Sequence, residues 1–277
     1  MNKINRKNIR NIILFIIGLF VVLMFILPIV WQYMGALKPT SQVIALPPVF
    51  VFKPSLDNFI DLQREKQAMF NLKNSLIIIS IATFINMVLS ITAGYALARI
   101  NIKGGKKIAF LMLVLTMVPT VTLLIPLYDI MTKIGLLGSH AAIIIVYIIF
   151  ILPFNIWLMK GFFKSIPVEI EEAALIDGCS NMGVLLRIVV PLSKPGIFAT
   201  IIFSVMMSWG DFVFAGILGS KSSFTLPVIA ASIEGKFGSS WGQLAFLVLI
   251  ITLPMIIFTI FTQKYLVEGL TFGAVKG

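Results

Sequence analysis

Six runs of 19 to 25 residues in which charge is all but absent divide the chain, at residues 11–31, 74–98, 108–128, 141–159, 195–218 and 241–263. A helix rises ~1.5 Å per residue and a bilayer's hydrocarbon layer is ~30 Å thick, so each run is about long enough to cross it. Lipid offers the backbone no hydrogen-bond partner, so such runs must be helical. The expected fold class is therefore an all-α membrane protein with six transmembrane helices, in one domain over 1–277. Composition agrees: 59% of the 277 residues are hydrophobic, 12% are charged and mean hydropathy is +1.04. Soluble domains carry about 25% charged residues, which excludes a soluble enzyme.

The net charge of +11 would suggest nucleic acid in a soluble protein. Here the positions of the charges decide. Of the Lys and Arg residues, 14 fall on the side that holds the N-terminus and 8 on the other. Cytoplasmic segments of membrane proteins carry the positive excess, so both termini are expected in the cytoplasm, with no nucleic-acid partner. The first run exceeds the apolar core of a signal peptide, and no small-x-small cleavage site follows it, so it reads as an uncleaved span. The external loop at 32–73 holds Pro39, Pro47, Pro48 and Pro54. Those prolines forbid one continuous helix, and an ordered outer cap is expected.

Reactive groups are scarce. A single cysteine, Cys179, and a single histidine, His140, allow neither an intrachain disulfide nor a Cys/His metal site. No G-x-x-x-x-G-K-[ST] occurs; Gly105-Lys106-Lys107 and Gly235-Lys236-Phe237 lack its spacing and its hydroxyl. The chain is not expected to be an enzyme or to hold a cofactor. Energy must come from a partner, or not be ATP.

The segment 160–194 is long for a connection and holds Glu169, Glu171, Glu172 and Asp177. Pro167 suits a helix start, the glutamates suit its positive end, and Gly178 falls where a left-handed residue closes a helix. Ser180 or Asn181 can cap a second short helix that Pro191 stops. On the first helix Ile170, Ala173, Ala174 and Asp177 share a small, partly apolar face. Such a face on a cytoplasmic helix fits a protein groove.

The pattern Glu172-Ala173-Ala174, three residues, Gly178, nine residues, Ile188-Val189-Val190-Pro191 resembles the EAA loop of ABC-importer permeases; Val190 stands where leucine is usual. The tail from Val267 to Gly277 and the stretches Gly35 to Thr40 and Trp209 to Phe212 are also similar to the second, maltose-type permease subunit of carbohydrate importers. The resemblance implies the type I importer fold, in which the EAA loop is a coupling helix docked on an ATPase. It implies docking roles for Glu171, Glu172, Ala173, Ala174, Asp177, Gly178, Ile188 and Pro191. The implied partners are a second permease subunit in a heterodimer, an ABC ATPase dimer holding ATP and Mg, an external sugar-binding protein and membrane lipid. The implied place is a prokaryotic cytoplasmic membrane.

Asp211 is the one charge inside a span and must be compensated. With Trp209, Asn86 and Asn155 it is a candidate for a polar sugar path; an inter-helix hydrogen bond is the other reading. Ser80, Thr83, Ser90 and Gly94 form a stripe that suits close helix packing or a ligand. Pro119, Pro126 and Pro153 mark bends, moving or fixed. The main function is a sugar-importer permease subunit. A secondary carrier and a glycerol-phosphate-type importer permease are the competing readings, the latter disfavoured because no Lys or Arg lies inside a span to meet phosphate.

Overall fold

In the computed structural model the described residues are 3–233 and 240–271. The motif that follows Val267 and the Gly235-Lys236-Phe237 stretch lie outside the residues whose side chains are described. In chain order the helices are α1 (Lys3–Leu37), α2 (Asp57–Lys66), α3 (Ala68–Arg99), α4 (Gly105–Thr116), α5 (Leu124–Lys133) and α6 (His140–Ser165). Then come α7 (Val168–Ile176), α8 (Asn181–Leu192), α9 (Lys194–Trp209), α10 (Val213–Leu218), α11 (Leu226–Ala231) and α12 (Ser240–Thr271). No strand occurs among the described residues.

Among the described residues four helices are long and apolar enough to cross a membrane: the Arg10–Leu37 part of α1, then α3, α6 and the Trp241–Lys264 part of α12. Two more candidates are bent pairs, α4 with Thr120–Lys133 at 93° and α8 with α9 at 79°. The expected span 108–128 is thus not one straight helix. Pro119 disfavours helical geometry at Val118 and withholds a backbone donor, and the chain passes through a 3₁₀ turn at Thr120–Leu123 before α5. Pro126 lies in the first turn of α5, where a missing N–H costs nothing, and Pro153 sits inside an uninterrupted α6. The expected span 195–218 is likewise divided, because α9 ends at Trp209 and α10 begins only at Val213.

The chain divides into two compact units, Met1–Ala68 with Ser232–Leu253 and Met69–Ala231 with Pro254–Gly277. In the first unit α1 runs beyond the expected span to Leu37, and every residue from Arg10 to Gln32 is exposed. The cap over 32–73 is ordered around buried Asn58. Its amide donates to the Ala36 and Lys38 carbonyls at 3.0 and 2.7 Å, and its oxygen accepts from Thr40 at 3.1 Å. A Cβ at Gly242 would stand 2.1 Å from Asn58 Oδ1, so only glycine admits that approach. The Lys38 ammonium lies 4.6 Å over the Trp31 ring, which stabilises a cation in low-dielectric surroundings.

The second unit is built on α3, α6 and α9. A Cβ at Gly94 would be 3.0 Å from Met159 Cβ and 3.1 Å from the Lys160 nitrogen, so the small-residue stripe brings α3 close against α6. Near the start of these helices His140 Nε2 lies 3.0 Å from Asn74 Oδ1, while the Asn74 amide donates to the Ser222 and Phe224 carbonyls. At the other end Met87, Met159, Phe163, Ala174, Val184, Leu185 and Val189 form one buried cluster that seats α7 and α8 on α3 and α6.

Candidate functional site

The α7–α8 loop is shaped by its glycine and its caps. Gly178 has φ of +86°, in the left-handed region. The Cys179 N–H donates to the Ala174 carbonyl at 3.0 Å and the Gly178 N–H to the Leu175 carbonyl at 3.1 Å, the paired bonds of a Schellman end. Two residues on, Ser180 Oγ accepts from the Gly183 N–H at 3.2 Å and starts α8. Leu185–Val189 is a π turn next to Pro191, whose missing N–H breaks the regular ladder. The two helices are therefore held at a fixed turn.

Their faces differ from the expected ones. Glu172, Ala173, Asp177, Gly178 and Pro191 are exposed and Ile188 is half-buried, but Ala174 belongs to the inner cluster. Glu171 also turns inward, at 4% exposure, so it is not on the outward face with Glu172. The outward face instead gains Leu175, Ile176 and, on α8, Met182 and Leu186, with Ile176 86% exposed. An apolar patch edged by the exposed carboxylates of Glu172 and Asp177 is suited to burial against another protein.

What holds Glu171 inside is an ion pair that spacing within the loop could not reveal, since its partner lies 72 residues earlier. Arg99 Nε donates to Glu171 Oε1 at 2.7 Å, and its Nη2 stands 2.6 Å from the same oxygen. That Nη2 also donates to the Phe163 and Ile166 carbonyls at 2.7 and 2.9 Å, and the Tyr95 hydroxyl donates to Glu171 Oε2 at 2.9 Å.

Of the candidates inside the spans, Asp211 and Trp209 are not brought to one cavity. Asp211 Oδ2 accepts from the Tyr147 hydroxyl at 3.0 Å and the Ala215 N–H at 3.2 Å, and Oδ1 accepts from the Phe214 N–H at 3.4 Å. It caps α10 and ties it to α6. The same residue borders a cavity of about 600 Å³ walled by Phe150, Phe154, Phe203, Phe214 and Tyr147. Trp209 instead borders a separate cavity of about 440 Å³ with Ser80, Thr83, Met87 and Phe258. Asn155 donates to Ser204 at 2.7 Å, whereas Asn86 is fully buried and neither amide atom has a partner among the described residues.

Long apolar helices, broken spans around aromatic cavities and a capped helix pair between spans together define a multi-pass membrane protein. Residues 86–271 match the family described as the binding-protein-dependent transport system inner membrane component, and the chain belongs to that family. It is 33% identical to the sulfoquinovosyl glycerol transport system permease protein of Agrobacterium fabrum over 96% of this chain and 91% of that one. It is 31% identical to the trehalose/maltose transport system permease protein of Thermococcus litoralis over 98% and 99%. A chain of a bacterial ABC transporter involved in the import of alginate has the same fold, with a TM-score of 0.79 and 19% identity over 96% of this chain and 99% of that chain.

Proposed function

We propose that this chain is one of two permease subunits of an ATP-driven importer that receives a neutral oligosaccharide from an external binding protein. The observation that carries the reading is the exposed Glu172-Ala173 turn of α7, closed by a left-handed Gly178, in a chain whose family is that of binding-protein-dependent permeases. Relatives named for trehalose, maltose and diacetylchitobiose support the sugar class. In this reading α7 and α8 dock on an ATPase dimer that holds ATP and Mg, and a second permease subunit completes the pathway. The chain sits in a prokaryotic cytoplasmic membrane with both termini inside.

The aromatic cavity beside Asp211 is the section of path this subunit would contribute, because sugar rings stack on aromatic faces and hydroxyls need acceptors. Asp211 itself acts there first as the cap that fixes α10. The test is purification of the chain with its genomic neighbours. Co-purification of an ATPase, lost on Gly178→Val, is expected, as is binding of a di- or oligosaccharide by the associated binding protein in calorimetry against a sugar panel. A chain that purifies without an ATPase and still transports would overturn the reading in favour of a secondary carrier.

A further inference from the structure

One guanidinium in this chain meets three segments at once. Arg99 is the last residue of α3, and its side chain reaches the Glu171 carboxylate in α7 and the carbonyls of Phe163 and Ile166 at the end of α6. Those two carbonyls need such a donor. They lie at the end of α6: from the backbone the Phe163 carbonyl accepts only the Ile166 N–H, at 3.2 Å, because the residue four places on is Pro167, which has no N–H to offer, and Ile166 lies just past the last helical residue. Glu171 and Glu172 are neighbours, about 100° apart around the helix, and only the first is buried. Turning α7 on its axis would carry a carboxylate away from its guanidinium inside the protein. The Tyr95 hydroxyl holds the second carboxylate oxygen, and its ring stands edge-on to Phe163 with centroids 5.9 Å apart.

We propose that Arg99 is a positioning residue that clamps α7 to the cytoplasmic ends of α3 and α6, so that the docking helix and these two spans move as one body. The proposal rests on the docking role given to α7 above. It assigns the transfer of motion to α3 and α6 through a fork-shaped group, and a point charge at the same place cannot serve all the acceptors. Lysine would keep attraction to Glu171 and release the α6 carbonyls. The paired change Arg99→Met with Glu171→Met removes both charges and leaves neither one buried alone.

The experiment uses the assembled complex with its co-purifying ATPase in liposomes, with ATP and vanadate as the probe and no sugar required. A reporter cysteine replaces Val121, an exposed residue at the bend of the third span, in a Cys179→Ser background. Vanadate trapping is read as nucleotide retained per complex, and transmission as the change in Val121→Cys labelling on trapping. In the double variant retained nucleotide should match wild type while the labelling change falls about fivefold, the scale of coupling changes at residues that touch neither site. Arg99→Lys should fall between. A residue that merely stabilises the fold would lower complex yield and leave the labelling change per trapped complex intact, and that result overturns the clamp. If the double variant does not assemble, Arg99→Lys decides alone by the same ratio: a reduced change supports the clamp and a wild-type one overturns it. Absence of any ATPase from the wild-type preparation overturns the docking role and the clamp together, whereas normal transmission with the ATPase present overturns the clamp only.

Discussion

At the residue scale the informative positions are those with a conformation or a partner that few side chains can replace. Gly178 is the clearest, because its φ of +86° closes α7 through two hydrogen bonds. Gly178→Val puts a β-branched side chain in the left-handed region at a cost of about 1 kcal/mol or more, and reshapes the turn. Uptake should fail while the protein still inserts in the membrane, and Gly178→Asn should keep part of the activity, since asparagine tolerates that region. Equal uptake by the valine variant at wild-type expression would remove the turn from the coupling account. Asp211 tests the opposite balance. Asp211→Asn keeps an acceptor for Tyr147 and for the first amides of α10, whereas Asp211→Leu leaves them unpaired at a cost of about 1–3 kcal/mol. The leucine variant should lower the yield of assembled complex, measured by size-exclusion chromatography; an unchanged yield would free Asp211 from the capping role. Gly94→Val should also lower yield, by forcing α3 off Met159 at about 1–3 kcal/mol.

Among the elements, the helix pair α7–α8 was legible because glycine, serine and two prolines mark its ends in the primary sequence. Its inner and outer faces were not. Placing Glu171 needed Arg99, which belongs to another span, and no periodicity within the loop carries that information. The bent third span escaped for a related reason: hydropathy measures whether a segment prefers lipid and is blind to its direction, so residues 108–128 read as one rod. The α4 helix of 12 residues reaches about 18 Å, well short of the hydrocarbon thickness. Thr116 and Thr120 border the large cavity at the bend, and water is expected to reach them from outside. A membrane-impermeant maleimide should therefore label Thr120→Cys in right-side-out vesicles of a Cys179→Ser chain, and full protection would place the bend in hydrocarbon.

For the whole molecule, the outline of apolar runs carried over into long helices, because burial in lipid is a bulk property that composition records well. The division into two compact units left no mark in the sequence, since it depends on pairings such as Tyr33 with Thr252, 219 residues apart. The orientation remains a matter of charge, and a reporter fused after Gly277 should score cytoplasmic while one inserted between Gly135 and Gly138 scores external. An external score at Gly277 would reverse the topology.

The turn that closes α7 has one more consequence. Its second hydrogen-bonding residue is Cys179, the chain's single thiol, half-buried directly after the left-handed glycine. The unmodified protein thus carries its own occupancy gauge. If the loop docks on an ATPase as proposed, alkylation of that sulfur, followed by mass spectrometry, should be slow in the assembled complex and fast in the bare chain, so assembly can be timed on the native chain without introducing any label.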